Sequence, residues 1–274
     1  MKKIVFSILC FVLFSNYGLS HGDLDQRIIA ATSEINEDPD NAPLYFKRGK
    51  LYFQHQEYKN SVLDLIVAEA KGFKEAELFL FTSKSYFGLN DLDNAEQALR
   101  KFYTIDSQHI VAHKLEAQIE VARGNFHKSA LLFEFVINHA NVTLPENYID
   151  AASSWLATKS QDGLDKAITI LKRGLSDIGP LYTLNLKIID SYVEYKSYEN
   201  AIEHLELIIP SRKRKESSYY KLYQLYSLQG NETSANLCLK NAMKSWKMLP
   251  QRVKKNSAMI ALHDSIQNKL TATL

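Results

Sequence analysis

Cysteine, proline and glycine are scarce in this chain, with two, six and ten copies in 274 residues, and each scarcity excludes a class of protein. One of the cysteines, Cys10, falls in the first twenty residues. If that stretch is removed, Cys238 alone remains and no internal disulfide can form, so packing must supply the stability. So little proline and glycine argues against a sheet-and-turn architecture, while the abundance of Leu, Ala, Lys, Glu and Tyr favours helices. Also missing are a Gly-rich phosphate loop, a paired-cysteine motif and a Gly-x-Ser-x-Gly elbow, the usual marks of nucleotide, redox and hydrolase chemistry. A surplus of charge is lacking as well. The net charge of +2 resides in Lys2 and Lys3, and the rest of the chain is balanced, leaving no global field to recruit nucleic acid or an anionic membrane. What is present in quantity is apolar surface, 46% of residues, enough to bury a sizeable core and exclude a disordered chain.

The first twenty residues read differently from the remainder. Lys2 and Lys3 form a positive end, Ile4–Phe14 an apolar run of 11 residues, and Gly18-Leu19-Ser20 a small-residue cleavage site. The run is too short to cross a hydrocarbon core of roughly 30 Å as a helix. This pattern predicts a cleaved signal peptide of bacterial type over 1–20 and a periplasmic or secreted product with no integral membrane segment. Leu9 stands before Cys10 where a lipoprotein signal requires a small residue, which argues against a lipid anchor.

Beyond it a period dominates. Tyr58, Leu92, Phe126, Tyr198 and Glu232 each precede by three residues a small one, namely Ser61, Ala95, Ser129, Ala201 and Ala235, with spacings of 34, 34, 72 and 34. Tyr52 and Tyr86, then Tyr192 and Tyr226, keep the same 34-residue phase, and Leu65, Leu99 and Phe133 continue it. Two packed helices need such pairs, because the small residue lets backbones approach and the large one fills the adjoining gap. The 72-residue step holds one further unit, with Leu164 and Ala167 in phase and about four extra residues assigned to a polar turn over 159–163.

These residues resemble the tetratricopeptide-repeat family, whose unit is a helix, a turn and a second helix. The first repeat matches at Tyr45, Gly49, Tyr52, Tyr58 and Ala68, the second at Phe79, Tyr86, Ala95 and Leu99, and the third at Ala117 and Gly124-Asn125-Phe126. Departures occur where His113 takes a slot that is normally aromatic, Glu120 replaces the usual Tyr, and Trp155 lies on a shifted helix in the fourth unit. The resemblance implies an all-α, right-handed α-solenoid of tandem helix-turn-helix repeats over 21–274: a half repeat over 24–41, about six repeats over 42–243, and a capping helix over 251–269. An open solenoid end needs such a cap to keep its apolar side chains from water.

In stacked helix pairs the first helix of each pair lines the inner, concave surface. The phase then places Phe46, Lys50 and Phe53, next Leu80, Lys84 and Phe87, and next Lys114, Gln118 and Val121 on that wall. Leu186, Asp190, Tyr220 and Gln224 follow further along. Aromatic and aliphatic surface with three lysines suits an extended or helical peptide bearing apolar side chains and a carboxylate. Members of the family clamp a partner's terminal carboxylate with lysine and asparagine; Lys50, Lys84 and Lys114 match the lysines only, so the resemblance lends the idea of an acidic terminus and no more. The expected function is a non-enzymatic adaptor that binds a protein or peptide partner in the cell envelope, without a cofactor, without nucleic acid, and with self-association as a further possibility.

His109 and His113 share a helical face and could ligate copper or zinc with Glu116, and His21 would become the mature amino terminus, where an amino nitrogen and an imidazole can bind copper. Glu116 and Glu120 read as ordinary helix carboxylates. Arg212-Lys213-Arg214-Lys215 reads as a solvated turn between repeats or as a dock for an anionic partner or envelope surface, and Cys238 as buried filler.

Overall fold

The structure, a computed structural model, describes residues 23–142 and 144–272. The expected signal peptide and His21 lie outside the described residues. Every regular element among those described is a helix, and the described residues divide into two compact units, one up to Ala140 and one from Asn141 onward.

The first unit starts with α1, residues 23–37. Three hairpins follow: α2 (Ala42–Gln54) with α3 (Tyr58–Ala70), α4 (Ala76–Gly88) with α5 (Leu92–Tyr103), and α6 (Ile110–Arg123) with α7 (Phe126–His139). The second unit pairs α8 (Pro145–Ala157) with α9 (Gln161–Ile178), α10 (Tyr182–Glu194) with α11 (Tyr198–Ile208), and α12 (Glu216–Leu228) with α13 (Glu232–Lys247), then ends in α14 (Gln251–Lys254) and α15 (Ser257–Ala272).

One device turns the chain inside each hairpin. A residue in the left-handed region ends the first helix, at Gln56, Asn90, Gly124, Lys159, Lys196 and Gly230. In five of the six hairpins the next amide donates to a carbonyl five residues back, as from Glu57 to Tyr52, Asp91 to Tyr86 and Ser197 to Tyr192, at 2.8–2.9 Å. This bond satisfies a carbonyl that the helix end leaves free. The new helix is then capped by a side chain where one is available, Asp91 accepting from the amide of Asn94 and Asn231 from that of Ser234.

The small residues of the periodic pattern are the points of closest approach. Ser61, Ala95, Ser129, Ala167, Ala201 and Ala235 are all at 0% exposure. Gly49 serves the same purpose in α2, since a Cβ there would come within 3.0 Å of the Leu65 side chain on α3. One core of the first unit gathers Leu65, Leu78, Leu99, Phe102 and Ile119 across three hairpins. In the second unit Ile189, Leu205, Leu222 and Leu225 form a core, and Ile266 of α15 closes its end against Leu239, Ala242 and Met243 of α13.

Two expectations are corrected. The polar stretch 159–163 is not a long turn: Ser160 caps α9 by accepting from the amide of Gly163, and the helix starts at Gln161. Three of the extra residues, Gln161-Asp162-Gly163, are wound into an added first turn of α9, where Gly163 is needed because a Cβ would meet the Trp155 carbonyl oxygen at 2.5 Å. The terminal helix expected over 251–269 is two segments, broken at Lys255-Asn256. Asn256 starts the second by accepting from the amide of Ala258 at 2.9 Å and offering its carbonyl to Met259 and Ile260.

Candidate interaction face

Along the first unit the first helices touch, α2 with α4 and α4 with α6, more extensively than the second helices do. The side of α2, α4 and α6 is therefore the inner one, and on it stand the lysines and rings expected from the repeat phase.

The face is built from α2 upward. Phe46 is buried, and its ring stacks on Phe73 with centroids 4.6 Å apart and meets Phe81 edge-on at 6.4 Å. Phe53 packs edge-on against the other side of Phe81 at 5.3 Å. Each such ring pair adds about 1 kcal/mol beyond the area it removes from water, so the aromatic floor is rigid. Lys50, one turn after Phe46, reaches across the rings: its Nζ lies 5.1 and 5.0 Å from the Phe46 and Phe81 centroids and donates to Glu77 Oε1 at 2.7 Å.

Lys84, in the same place on α4, stands 5.2 Å from the Phe81 centroid and pairs with no carboxylate among the described residues. Burial holds its pKa below the usual lysine value, and the more distant charge of Glu77 offsets this only in part. Lys84 is thus a half-buried cation without a carboxylate partner among the described residues.

The remaining expected residues are spread out. Leu80 is 7% exposed and belongs to the core, as Phe46 does, although an edge of Phe46 also lines an open hollow beside Lys50 and Gln54. Phe87 is half-buried against the same core. On α6, Lys114 is half-buried and Gln118 is exposed. The structure thus unites Phe46, Lys50, Phe53 and Lys84 around Phe81, and leaves Gln118 apart at the level of α6. Phe73, Glu77 and Phe81 were not anticipated. Phe81 occupies the position of Lys47 and Leu115 in the flanking units, 34 residues away on either side, so periodicity alone gave no reason to single it out.

The histidine pair is committed to local structure. His109 caps α6, its Nδ1 accepting from the amide of Ala112. His113 fills the aromatic slot as a ring, 5.1 Å from Tyr103 and 4.1 Å from Phe135, and its Nε2 bonds the Ser107 carbonyl at 3.0 Å. No three His, Cys, Asp or Glu side chains among the described residues are placed to share an ion. Glu120, in the tyrosine slot, is 2% exposed. Burial raises its pKa, but hydrogen bonds from Lys128 and Asn125, with Arg123 nearby, outweigh that and hold the carboxyl below its usual range. Cys238 is buried, and desolvation pushes its thiol up to about 11, which keeps it from acting as a thiolate. No helix among the described residues is long and apolar enough to cross a membrane.

Hairpins of this length, joined through a left-handed turn residue and stacked through small residues every 34 positions, define a class of helical-repeat scaffolds. The chain has the tetratricopeptide-repeat fold. It is similar to the C-terminal part of a TPR repeat-containing protein from Cytophaga hutchinsonii, with a TM-score of 0.66 at 13% identity over 91% of this chain and 98% of that one. It is also similar to a tetratricopeptide repeat protein from Parabacteroides merdae, with a TM-score of 0.55 at 13% identity over 93% of this chain and 97% of that one. A third likeness is to the MamA protein, with a TM-score of 0.51 at 17% identity over 67% and 91% of the two chains. No family model and no curated protein matches the sequence.

Proposed function

We propose that this chain is a non-catalytic scaffold that binds a protein or peptide on the α2/α4 side of its first unit, and that it does so after export to the bacterial cell envelope. The observation that carries the binding reading is Lys84. It is a partly desolvated ammonium without a carboxylate partner, set on a rigid floor of Phe81 and Phe53. A carboxylate brought to Lys84 would form a charge-assisted hydrogen bond in a site already cleared of much water, while an adjacent apolar side chain rests on the rings. Lys50, already paired with Glu77, keeps its neighbour's charge in check and leaves Lys84 as the anchor. Helical repeats present long surfaces, and function on them lies in the side chains displayed.

Export rests on the basic, apolar and small-residue pattern of residues 2–20. Amino-terminal sequencing of protein recovered from the cell envelope should begin at His21; a product that retains Met1 or Lys2 overturns this part.

Binding is tested by placing a photo-crosslinking phenylalanine analogue at Phe53 or Phe87, and at exposed Leu63 of α3 as the control. Adducts with envelope proteins should form from the first two positions and diminish when Lys84→Glu is added. Adducts no more frequent than from Leu63, or unchanged by the charge reversal, would refute the assignment. Lys84 is the preferred site for substitution because truncating buried Phe46 would disturb the core.

A further inference from the structure

A separate channel crosses the second unit, between the second helices α9 and α11 with α10 as its floor. It consists of two adjoining open hollows that meet at Leu175 of α9 and Asn185 of α10, which line both. At one end lies the basic segment 212–215, and here the structure departs from a merely solvated turn. The Arg212 guanidinium lies 3.5 Å from the centre of the Tyr182 ring, and its Nε donates to the Arg214 carbonyl. A long side chain loses rotamer freedom when held this way, yet no carboxylate among the described residues pairs with it. Arg214, by contrast, neutralises the buried carboxylate of Glu216 with contacts of 2.6 and 2.8 Å. The uncompensated charge at this end therefore belongs to Arg212 and the exposed Lys213. At the other end Lys172 also makes no ion pair, beside Glu203.

Between the two ends the walls are apolar. Leu175 and Ile208 are half-buried, and Leu207 is 74% exposed on the rim. The floor is closed: Asn185 donates to the Leu181 carbonyl and pairs with His204 Nε2 at 2.9 Å, so its polar atoms are occupied. Residues 200–208 along the α11 wall rise about 12 Å at 1.5 Å each, which accommodates about four residues of extended chain.

We propose that this channel binds an extended acidic segment of a partner protein, with glutamate or aspartate carboxylates on Arg212 and Lys213 and a leucine-like side chain against Leu175, Leu207 and Ile208. A planar guanidinium already stacked on an aromatic ring is preorganised for a carboxylate, which it can hold through two parallel hydrogen bonds. An anionic lipid surface is the weaker match, because the Arg212 guanidinium is half-buried on the Tyr182 ring beside an apolar wall and does not stand out from the surface.

The test uses the full chain and a short fluorescein-labelled peptide that alternates glutamate with leucine. Fluorescence anisotropy should show binding that weakens as salt is added, while a glutamine–leucine peptide and phosphatidylglycerol vesicles bind poorly. Arg212→Glu/Lys213→Glu should weaken the acidic peptide by about tenfold or more, and Leu207→Ser, a change at an exposed position that leaves the fold intact, should weaken it independently. Lys84→Glu in the first unit should leave it unchanged, which separates this site from the one proposed above. Equal binding by wild type and the double charge reversal, equal affinity for the glutamine peptide, or binding to vesicles alone would each overturn the proposal.

Discussion

Replacing Arg48 with methionine strands a carboxylate inside the first unit. Arg48 Nε and Nη2 hold the two oxygens of Asp64 at 2.7 and 2.8 Å, and Nη1 donates to Thr32 Oγ1 at 3.1 Å, so one guanidinium ties α1, α2 and α3 together. The side chains of Arg48 and Asp64 are only 17% and 8% exposed. A buried ion pair of this kind adds little over an apolar pair of the same volume, but breaking it from one side costs about 3–5 kcal/mol, because the remaining charge stays desolvated. Water reaching the partly open arginine site brings the expected loss to about 3 kcal/mol. The double variant Arg48→Met/Asp64→Leu removes both charges and should return to within about 1 kcal/mol of wild type. Urea unfolding followed by far-ultraviolet circular dichroism measures both, and amide exchange across α1 should quicken in the single variant. A single variant that loses less than about 1 kcal/mol, or a double variant no more stable than the single, would refute the claim that an enclosed charge sets the cost.

Three further outcomes are expected. Ala95→Glu and Ala201→Glu each push a carboxylate into a site at 0% exposure and should cost several kcal/mol, about 3 or more, in thermal or urea unfolding; unchanged unfolding in both would mean the 34-residue register is misplaced. Gln56 and Lys196 hold φ of 63° and 57° at hairpin turns, so Gln56→Gly and Lys196→Gly should each stabilise by up to about 1 kcal/mol, the relief of left-handed strain less the added freedom of the unfolded chain. Glu96 is held down to about 2 by hydrogen bonds from Arg100 and Arg123, against the desolvation that opposes them. A carboxyl lowered in the folded state adds stability that is full above its unfolded value near 4.5 and is lost as pH falls toward 2. Glu96→Gln should therefore flatten the acid side of a melting-temperature profile between those pH values, and an unaltered slope would count against the pairing.

The repeat was readable from sequence because its signal is steric and recurs: a small residue three positions after a large one, at Ser61, Ala95, Ala201 and Ala235 alike, all of them fully buried. The wall residues were readable only as positions on a helix. That Lys50 and Lys84 lie beside rings followed from the phase, whereas the ring that organises them, Phe81, breaks the phase, and Phe73 lies in the connection between α3 and α4. A cluster present at one interface of the stack leaves no trace in a periodic pattern. Phe46 and Leu80 illustrate the other limit: a helical aromatic or leucine at the edge of the inner face can turn either to the groove or to the neighbouring hairpin, and here both turn inward. The break in the terminal helix was carried by Asn256, a common helix-starting residue within an otherwise amphipathic run, where a local capping bond outweighs propensity. Arg212 on Tyr182 joins residues thirty positions apart, a contact that no local rule supplies.

The added first turn of α9 bears on how such a chain can change length. Three residues advance a helix by about 300°, short of a full revolution, so material inserted in the middle would swing every later side chain away from its partner. Because the surplus precedes Leu164 and Ala167, those two are buried as their counterparts are elsewhere, at 2% and 0% exposure, and only the lead-in is lengthened. The amino end of a second helix is thus a place where this architecture accommodates growth without retuning the seam, and deletions there should be tolerated where the same deletions a turn later would not.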